Sequence, residues 1–441
     1  MLSESSLKFL EEFMNASSPS GFEEEAAAVF RNYLKPCCDE VRTDVLGNTM
    51  AVLNPSAPMK VMLAGHYDEI GFQVVYISDE GLLYIRPNGG IDKLNVPSTE
   101  VEILTEKGRV HGVIGKKPIH LLKPAERDTP PELSDMWIDI GAENKAEAEK
   151  LVSIGDPVAV KSNFRRLNEN RFMSKGMDDK VGAFIVAETM RRLSERKLNV
   201  AVYGVGTVQE EVGLRGAHTS CFGVDPQVGF AIDVGFATDL PDIPKKLLGE
   251  VKLGGGPELS RSCDNNNVLG RYIRKVAKEK GIAYQETAAH RASGGTDAAQ
   301  MQMTRAGVAT ALLSIPNRYM HSPVEICDLR DVEGAIELLK TAGYEFDDNG
   351  MLSASTPITL EYLVNESSSH IAIAECIQQD LAAVGINMTI RTCEWNVFLN
   401  DRKNGNYDFA REGWIADFND PINMIEMFTT TSGNNDPQFG R

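Results

Sequence analysis

"NVAVYGVGTVQEEVGLRGA", residues 199–217, decides the fold. Its first half is apolar and β-prone and reads as a buried strand. Its second half puts two glutamates, Glu210 and Glu211, side by side where that strand runs out. Adjacent carboxylates repel. In a desolvated place one of them takes up a proton unless a cation neutralises the pair.

The same arrangement recurs along the chain. "KVMLAGHYDEIGF" (60–72) reads as a strand that opens into a loop with His66 and Asp68. "GMDDKVGAF" (176–184) starts a helix on Asp178 and Asp179. "VGFAIDVGFATD" (228–239) is a strand carrying Asp233, and "RAGVATALLSIPNRYMHSPVE" (305–325) is a strand that ends near His321. Strands alternating with helices predict a layered α/β domain. In such a sheet, ligands bind in the crevice at the carboxyl ends of the strands.

Taken singly, each residue has a plain structural reading. A histidine at a strand end is usually an ordinary core or surface residue. Asp178 and Asp179 read as helix caps, Glu210 and Glu211 as a solvated turn, Asp68 as a loop acid or as a group that orients His66. Taken together, two histidines and several carboxylates suit zinc or a similar divalent ion. So many acids suit two ions bridged by a carboxylate. One glutamate of the pair then binds metal, and the other is free to take a proton from a metal-bound water.

The chain has 441 residues, enough for two or three domains, with 42% hydrophobic and 24% charged residues. Its formal charge of −18 argues against nucleic acid or an anionic membrane as partner. The N-terminal stretch carries early acids and does not read as a signal peptide, and no apolar run is long enough to span a bilayer. Seven scattered cysteines fit neither a disulfide framework nor a CxxC metal site, so a reduced, cytoplasmic setting is expected. Short alternating segments between residues 73 and 163 predict a small inserted β-domain. The expected divisions are 1–72 and 164–345 for the two parts of the α/β domain, 73–163 for the insert and 346–441 for a separate tail.

"GHYDEIGF", "GMDDKVGAF", "TVQEEVGLRGA", "AIDVGFATD" and "SGGTDAAQMQMTRAGVATALLSIPNRYMHSPVE" resemble, in order and spacing, the motifs of the M42 metallo-aminopeptidases, the glutamyl and tetrahedral aminopeptidase group. The resemblance covers roughly residues 1–340. It implies a three-layer α/β/α metallopeptidase domain interrupted by a PDZ-like β-domain that serves assembly. It also implies hydrolysis of the N-terminal residue from unblocked peptides. Two divalent ions per subunit are implied, zinc foremost, with cobalt or manganese as alternatives. His66 and Asp233 would hold one ion and Glu211 and His321 the other, with Asp178 between them. Glu210 would be the general base, and Asp68 would brace His66. Many members form dodecamers, so a homo-oligomer is expected. Lys180 stands where the family often has arginine, and the residues after Asp233 vary; neither is a proposed ligand.

The tail is different. "LEYLVNESSSHIAIAECIQQDLAAVGINMTIRTCEWNVFLNDRKNGNYDFAREGWIADFNDPINMIEMF" resembles an inner segment of the solute-binding proteins of oligopeptide transporters. It implies an incomplete α/β fragment, expected to be poorly packed because part of a lobe leaves apolar surface uncovered. Two alternatives follow: a peptide-binding module argued from the tail, and a glycoside hydrolase using paired carboxylates. Arg215, Arg261, Arg291 and Arg318 are candidates for an acidic substrate preference, or for ordinary salt bridges.

Overall fold

The computed structural model describes residues 2–127, 129–288, 295–341, 358–382 and 386–411. The chain divides into two units, Met1–Ala342 and Gly343–Arg441. The boundary expected near 345, Arg291 and the end of the tail lie outside the described residues.

The first unit is built on an eight-stranded sheet. Its strands lie in the order Glu40–Thr43, Thr49–Leu53, Ala201–Thr207, Lys60–His66, Val228–Phe236, Ala309–Asn317, Glu258–Arg261 and Gln285–Ala288. The four inner strands, from Ala201–Thr207 to Ala309–Asn317, are parallel. Their carboxyl ends therefore open on one side, as in other α/β sheets that bind ligands there.

Both faces of the sheet are covered, and the strands alternate accordingly. Phe230, Ile232 and Val234 join the larger buried cluster, which includes Phe184 and Val186 of the helix Met177–Leu193. Ala231, Met62 and Val205 join a second cluster with Ala217, Cys221, Ala298 and Met301 on the opposite side. Side chains two apart on a strand share a face, so continuous apolar runs such as "AVYGVG" feed two cores at once. The helix Met177–Leu193 approaches the sheet closely at Gly65. A Cβ there would sit 2.6 Å from the backbone nitrogen of Ala183.

Between Gly71 and Val160 six strands close into a barrel in the order Gly71–Ile77, Leu83–Asn88, Met136–Asp139, Gly108–Lys116, Glu100–Thr105, Pro157–Val160. It has its own core, including Phe72, Val101, Ile114, Ile138 and Val158.

The second unit has a three-stranded parallel sheet with Ile358–Asn365 between Ile386–Cys393 and Phe409–Ala410. Tyr362, Val364, Ala374 and Met388 form a small buried cluster. Leu363 and Phe398 are also buried. Among the described residues the tail thus has a small core of its own, contrary to the expectation of poor packing. The helix Ser368–Ala382 covers one face of the sheet through Ile371, Ala374 and Ile377, although Ile373, Trp395 and Val397 stay exposed. Among the described residues no helix is long and apolar enough to cross a membrane.

Candidate metal centre

His66 is the last residue of its strand and is buried. Thr207, its partner in the neighbouring parallel strand, also ends its strand, and the chain continues through Val208 and Gln209 to Glu210. Asp233 lies inside its strand, three residues before Phe236, rather than at the strand end. It reaches the same crevice because the Lys60–His66 and Ala201–Thr207 strands stop earlier. His321 lies past the end of the Ala309–Asn317 strand in a left-handed conformation, φ 60°.

These residues meet. The Nε2 of His66 lies 3.2 Å from Asp178 Oδ1, 3.7 Å from Glu210 Oε2 and 3.8 Å from Asp233 Oδ1. The Nε2 of His321 lies 3.3 Å from the other Asp178 oxygen and 3.7 Å from Glu211 Oε1. Two donor groups result, His66–Asp178–Asp233 and Asp178–Glu211–His321, which share Asp178. The two acids read as a pair at the helix start part company. Asp178 faces both histidines, while Asp179 turns inward and accepts the amide of Gly182 at 3.0 Å, as a cap does.

The other ring nitrogen of each histidine defines the chemistry. His66 Nδ1 sits 3.1 Å from the carbonyl oxygen of Asp68, and His321 Nδ1 sits 2.6 Å from the carbonyl oxygen of Gly90. A carbonyl only accepts, so Nδ1 carries the hydrogen and donates it. In the neutral ring Nε2 is then a bare lone pair aimed at carboxylate oxygens, which are also acceptors. Acceptors converging on acceptors call for a cation between them. Glu211 Oε1 is moreover buried with no hydrogen-bond partner. The buried ammonium groups of Lys175 and Lys180 do not supply one, because both bind Glu69, at 2.6 and 3.0 Å. The donor set of imidazole nitrogens and carboxylate oxygens fits divalent metal ions.

Protons show the same deficit. Burial pushes the carboxyls of Glu210 and Glu211 well above the usual range, and neighbouring acids add to it. Burial likewise raises Asp233 to about 7. A proton on Nε2 is the other way to satisfy this pair, and the hydrogen bond it makes to Asp178 raises His321 to about 10.

Two further carboxyls shape the site by holding backbone. Asp68 was expected to brace His66, and its Oδ1 does lie 3.4 Å from His66 Nδ1. Its carboxylate also accepts the amides of Glu210 at 2.9 Å and Glu211 at 3.2 Å, and the hydroxyl of Ser20 at 2.7 Å. Glu325, which the sequence did not single out, accepts the amide of Asp178 at 3.0 Å on one oxygen and that of His321 at 2.9 Å on the other. Its place four residues after His321 is the only local signal. Gly90, in the barrel, is the other missed contact.

The site opens on a cleft of about 860 Å³ lined by Asp178, Glu210, Glu211, Asp233 and His321, with Phe236, Leu247, Leu248 and Val251 among its apolar walls. Arg261 binds Glu286, Arg318 binds Asp239, and Arg215 donates to Gln209, so these arginines are spent on ordinary surface contacts.

A histidine–carboxylate centre at the carboxyl end of a parallel sheet can be set against known proteins. The M42 glutamyl aminopeptidase family profile matches residues 47–338. A lysyl aminopeptidase of Pyrococcus furiosus is 41% identical over 309 residues, which is 70% of this chain and 87% of that protein. The chain belongs to the M42 aminopeptidase family. The TET aminopeptidase of a marine sediment archaeon, Thaumarchaeota archaeon SCGC AB-539-E09, superimposes on this M42 chain with a TM-score of 0.73 at 39% identity, covering 77% of this chain and 96% of its own. The TET1 peptidase of Pyrococcus horikoshii, described as assembling into a tetrahedron or a large octahedral shell, gives a TM-score of 0.69 at 34% identity, covering 77% and 100%. A second profile, the middle part of the family 5 bacterial extracellular solute-binding proteins, matches residues 285–436. The enzyme is thus an M42 peptidase carrying a segment similar to a second family. Divalent metal ions are implied by that membership and have a candidate donor set in the two groups described above.

Proposed function

We propose that this aminopeptidase removes the N-terminal residue of unblocked peptides at a two-metal centre. His66 and Asp233 would hold one ion and Glu211 and His321 the other, with Asp178 shared between the two groups. The observation that carries this reading is Asp178, whose two oxygens each face the Nε2 of a different histidine. When bound, divalent ions polarise the scissile carbonyl and lower the pKa of the attacking water.

The chain's own residues do the rest. Glu210 takes the proton from the attacking water and passes it to the leaving amine. Its backbone is fixed by Asp68, so the carboxylate is presented at the cleft wall without a search over loop conformations. The apolar walls exclude water and strengthen the electrostatics within. Zinc, cobalt and manganese all suit the nitrogen and oxygen donors.

The barrel at 71–160 is read as the assembly module of a homo-oligomer. Its exposed Val75, Tyr76, Val113, Ile119 and Leu121 support this, as does the assembly described for the Pyrococcus horikoshii relative. The second unit is read as a solute-binding-protein fragment joined to the peptidase.

The test is release of free amino acid from a peptide panel by metal-stripped and metal-restored protein, beside a Glu210→Gln variant. Release that needs metal, and that falls by about 10²–10⁴ in the variant while metal stays bound, supports the mechanism. Turnover that survives chelation overturns it and revives carboxylate-only catalysis.

A further inference from the structure

Cys37 and Cys38 are neighbours in the turn that follows the helix Glu24–Leu34. Consecutive side chains of an extended chain point to opposite sides. The turn sends these two to one side. The amides of Cys37 and Cys38 both donate to the carbonyl oxygen of Leu34, at 3.0 and 3.1 Å, and fold the chain back onto the helix end. The two sulfur atoms then lie 3.9 Å apart.

The pair is reachable and stands apart from the metal centre. Both residues are half-buried against the larger core, and Lys35, Pro36 and Asp39 beside them are exposed. The chain next enters Glu40–Thr43, the edge strand of the eight-stranded sheet. The strands Thr49–Leu53 and Ala201–Thr207 separate that edge from Lys60–His66.

The two thiols are not equivalent. Cys37 Sγ donates its hydrogen to the Leu34 carbonyl at 3.3 Å, so between the two sulfurs Cys38 is the donor. The hydrogen bond from Cys38 holds the Cys37 thiol below its ordinary value; burial opposes it, and Arg191 assists. The same hydrogen bond, together with burial, pushes the Cys38 thiol up. A thiolate is the attacking form, and a second thiol in contact with it is placed to resolve what it forms.

We propose that Cys37 and Cys38 are a reversible redox site that reduces a hydroperoxide and closes into a disulfide between chain neighbours. The Cys37 thiolate attacks one peroxide oxygen. An S–O bond forms, the O–O bond breaks, and with hydrogen peroxide the leaving hydroxide takes a proton and departs as water. The Cys38 thiolate then attacks the Cys37 sulfur. The S–S bond forms, the S–O bond breaks, and the second hydroxide departs as water. The two sulfurs together lose two electrons, and the peroxide gains them. Adjacent Cα atoms lie about 3.8 Å apart, less than an ordinary disulfide spans. The closed pair is therefore strained, and a reducing thiol returns it to the dithiol state.

The test treats the full chain with a small excess of hydrogen peroxide, alkylates the remaining thiols and reads the peptide spanning Cys37 and Cys38 by mass spectrometry. That peptide is expected to resist alkylation, to be lighter by two hydrogens, and to regain both thiols with dithiothreitol. Cys38→Ser is expected to stop at sulfenic acid on Cys37, with trapping by dimedone about tenfold or more above wild type, because the resolving thiol is no longer held in place. Cys37→Ser is expected to leave Cys38 reduced. Phenylarsine oxide, which bridges two thiols, needs no variant: one equivalent is expected to protect both cysteines of the wild type from alkylation. A pair that stays reduced at doses oxidising the exposed Cys263 and Cys376 overturns the proposal. So does a pair that ends as sulfinic acid without a disulfide, that bonds to other cysteines instead, or that the arsenical leaves unprotected.

Discussion

Replacing Glu325 with glutamine removes one acceptor and nothing else of size. In the wild type the two carboxyl oxygens accept two amides, Asp178 at 3.0 Å and His321 at 2.9 Å. Glutamine offers one oxygen, and its amino group then faces the second N–H as donor against donor. One buried backbone N–H loses its partner at a cost of about 1–3 kcal/mol. His321 is the weaker end. It holds a left-handed backbone, φ 60°, which costs a non-glycine residue about 1–2 kcal/mol and persists only while its surroundings enforce it. The expected loss is therefore in the Asp178–Glu211–His321 group: about 10–100-fold weaker binding of one of two ions, with the His66 group retained. Metal content after graded chelator competition, well below the unfolding temperature, reads this as a fall from two ions toward one. If Glu325→Gln keeps both ions at wild-type affinity and only unfolds earlier, Glu325 stabilises the fold without orienting the site, and the reasoning fails.

Other outcomes can be checked directly. Gly65→Ala puts a methyl 2.6 Å from the Ala183 nitrogen, and backbone on both sides leaves no easy relaxation; a loss of about 1–3 kcal/mol in urea unfolding is expected, and an unchanged midpoint would contradict the close approach. Glu188 is buried, which raises its pKa, but hydrogen bonds from Arg191, Tyr33 and Arg192 prevail and hold it down at about 2, from 4.5. A depressed carboxyl stabilises the fold above its unfolded value and loses that stabilisation as pH falls toward its folded one. Glu188 should thus contribute about 3 kcal/mol at neutral pH, and more than half of it should be gone by about pH 3, narrowing the gap between wild type and Glu188→Gln in urea titrations at the two pH values. A chain ended after Ala342 should still fold cooperatively, since the first unit and the family match both close by then; aggregation of that product would count against the division.

The sheet was legible because its strands are long apolar runs with unlike neighbours at their ends. "AVYGVGTVQEE" reads as a buried strand followed by acids whatever the context. His66, Glu210, Glu211 and His321 from strand ends and Asp178 from a helix start are brought together in the crevice, and Asp233 joins them from inside its strand. Strand length depends on the partners in the sheet, which pattern does not report. Glu325 and Gly90 were invisible for a related reason. Each acts on a residue that is distant in the chain or through backbone atoms, and a hydrogen bond from His321 to the carbonyl of Gly90 leaves no trace in either stretch of sequence. Asp68 was seen as a companion of His66, two residues away, and not as the acceptor for amides 142 and 143 positions further on. Arg215, Arg261 and Arg318 show the converse, for a charged side chain is legible while its partner is not.

The carboxyl groups of Asp68 and Glu325 grip peptide amides rather than side chains. The frame of the centre is therefore indifferent to what hangs from positions 178, 210, 211 and 321. Exchanges at these positions, histidine for aspartate or glutamate for cysteine, keep the amides that Asp68 and Glu325 hold. This separates the skeleton from the chemistry, so the centre is a mount into which other donor sets can be fitted for other ions, by substitution at single positions and without rebuilding the loops.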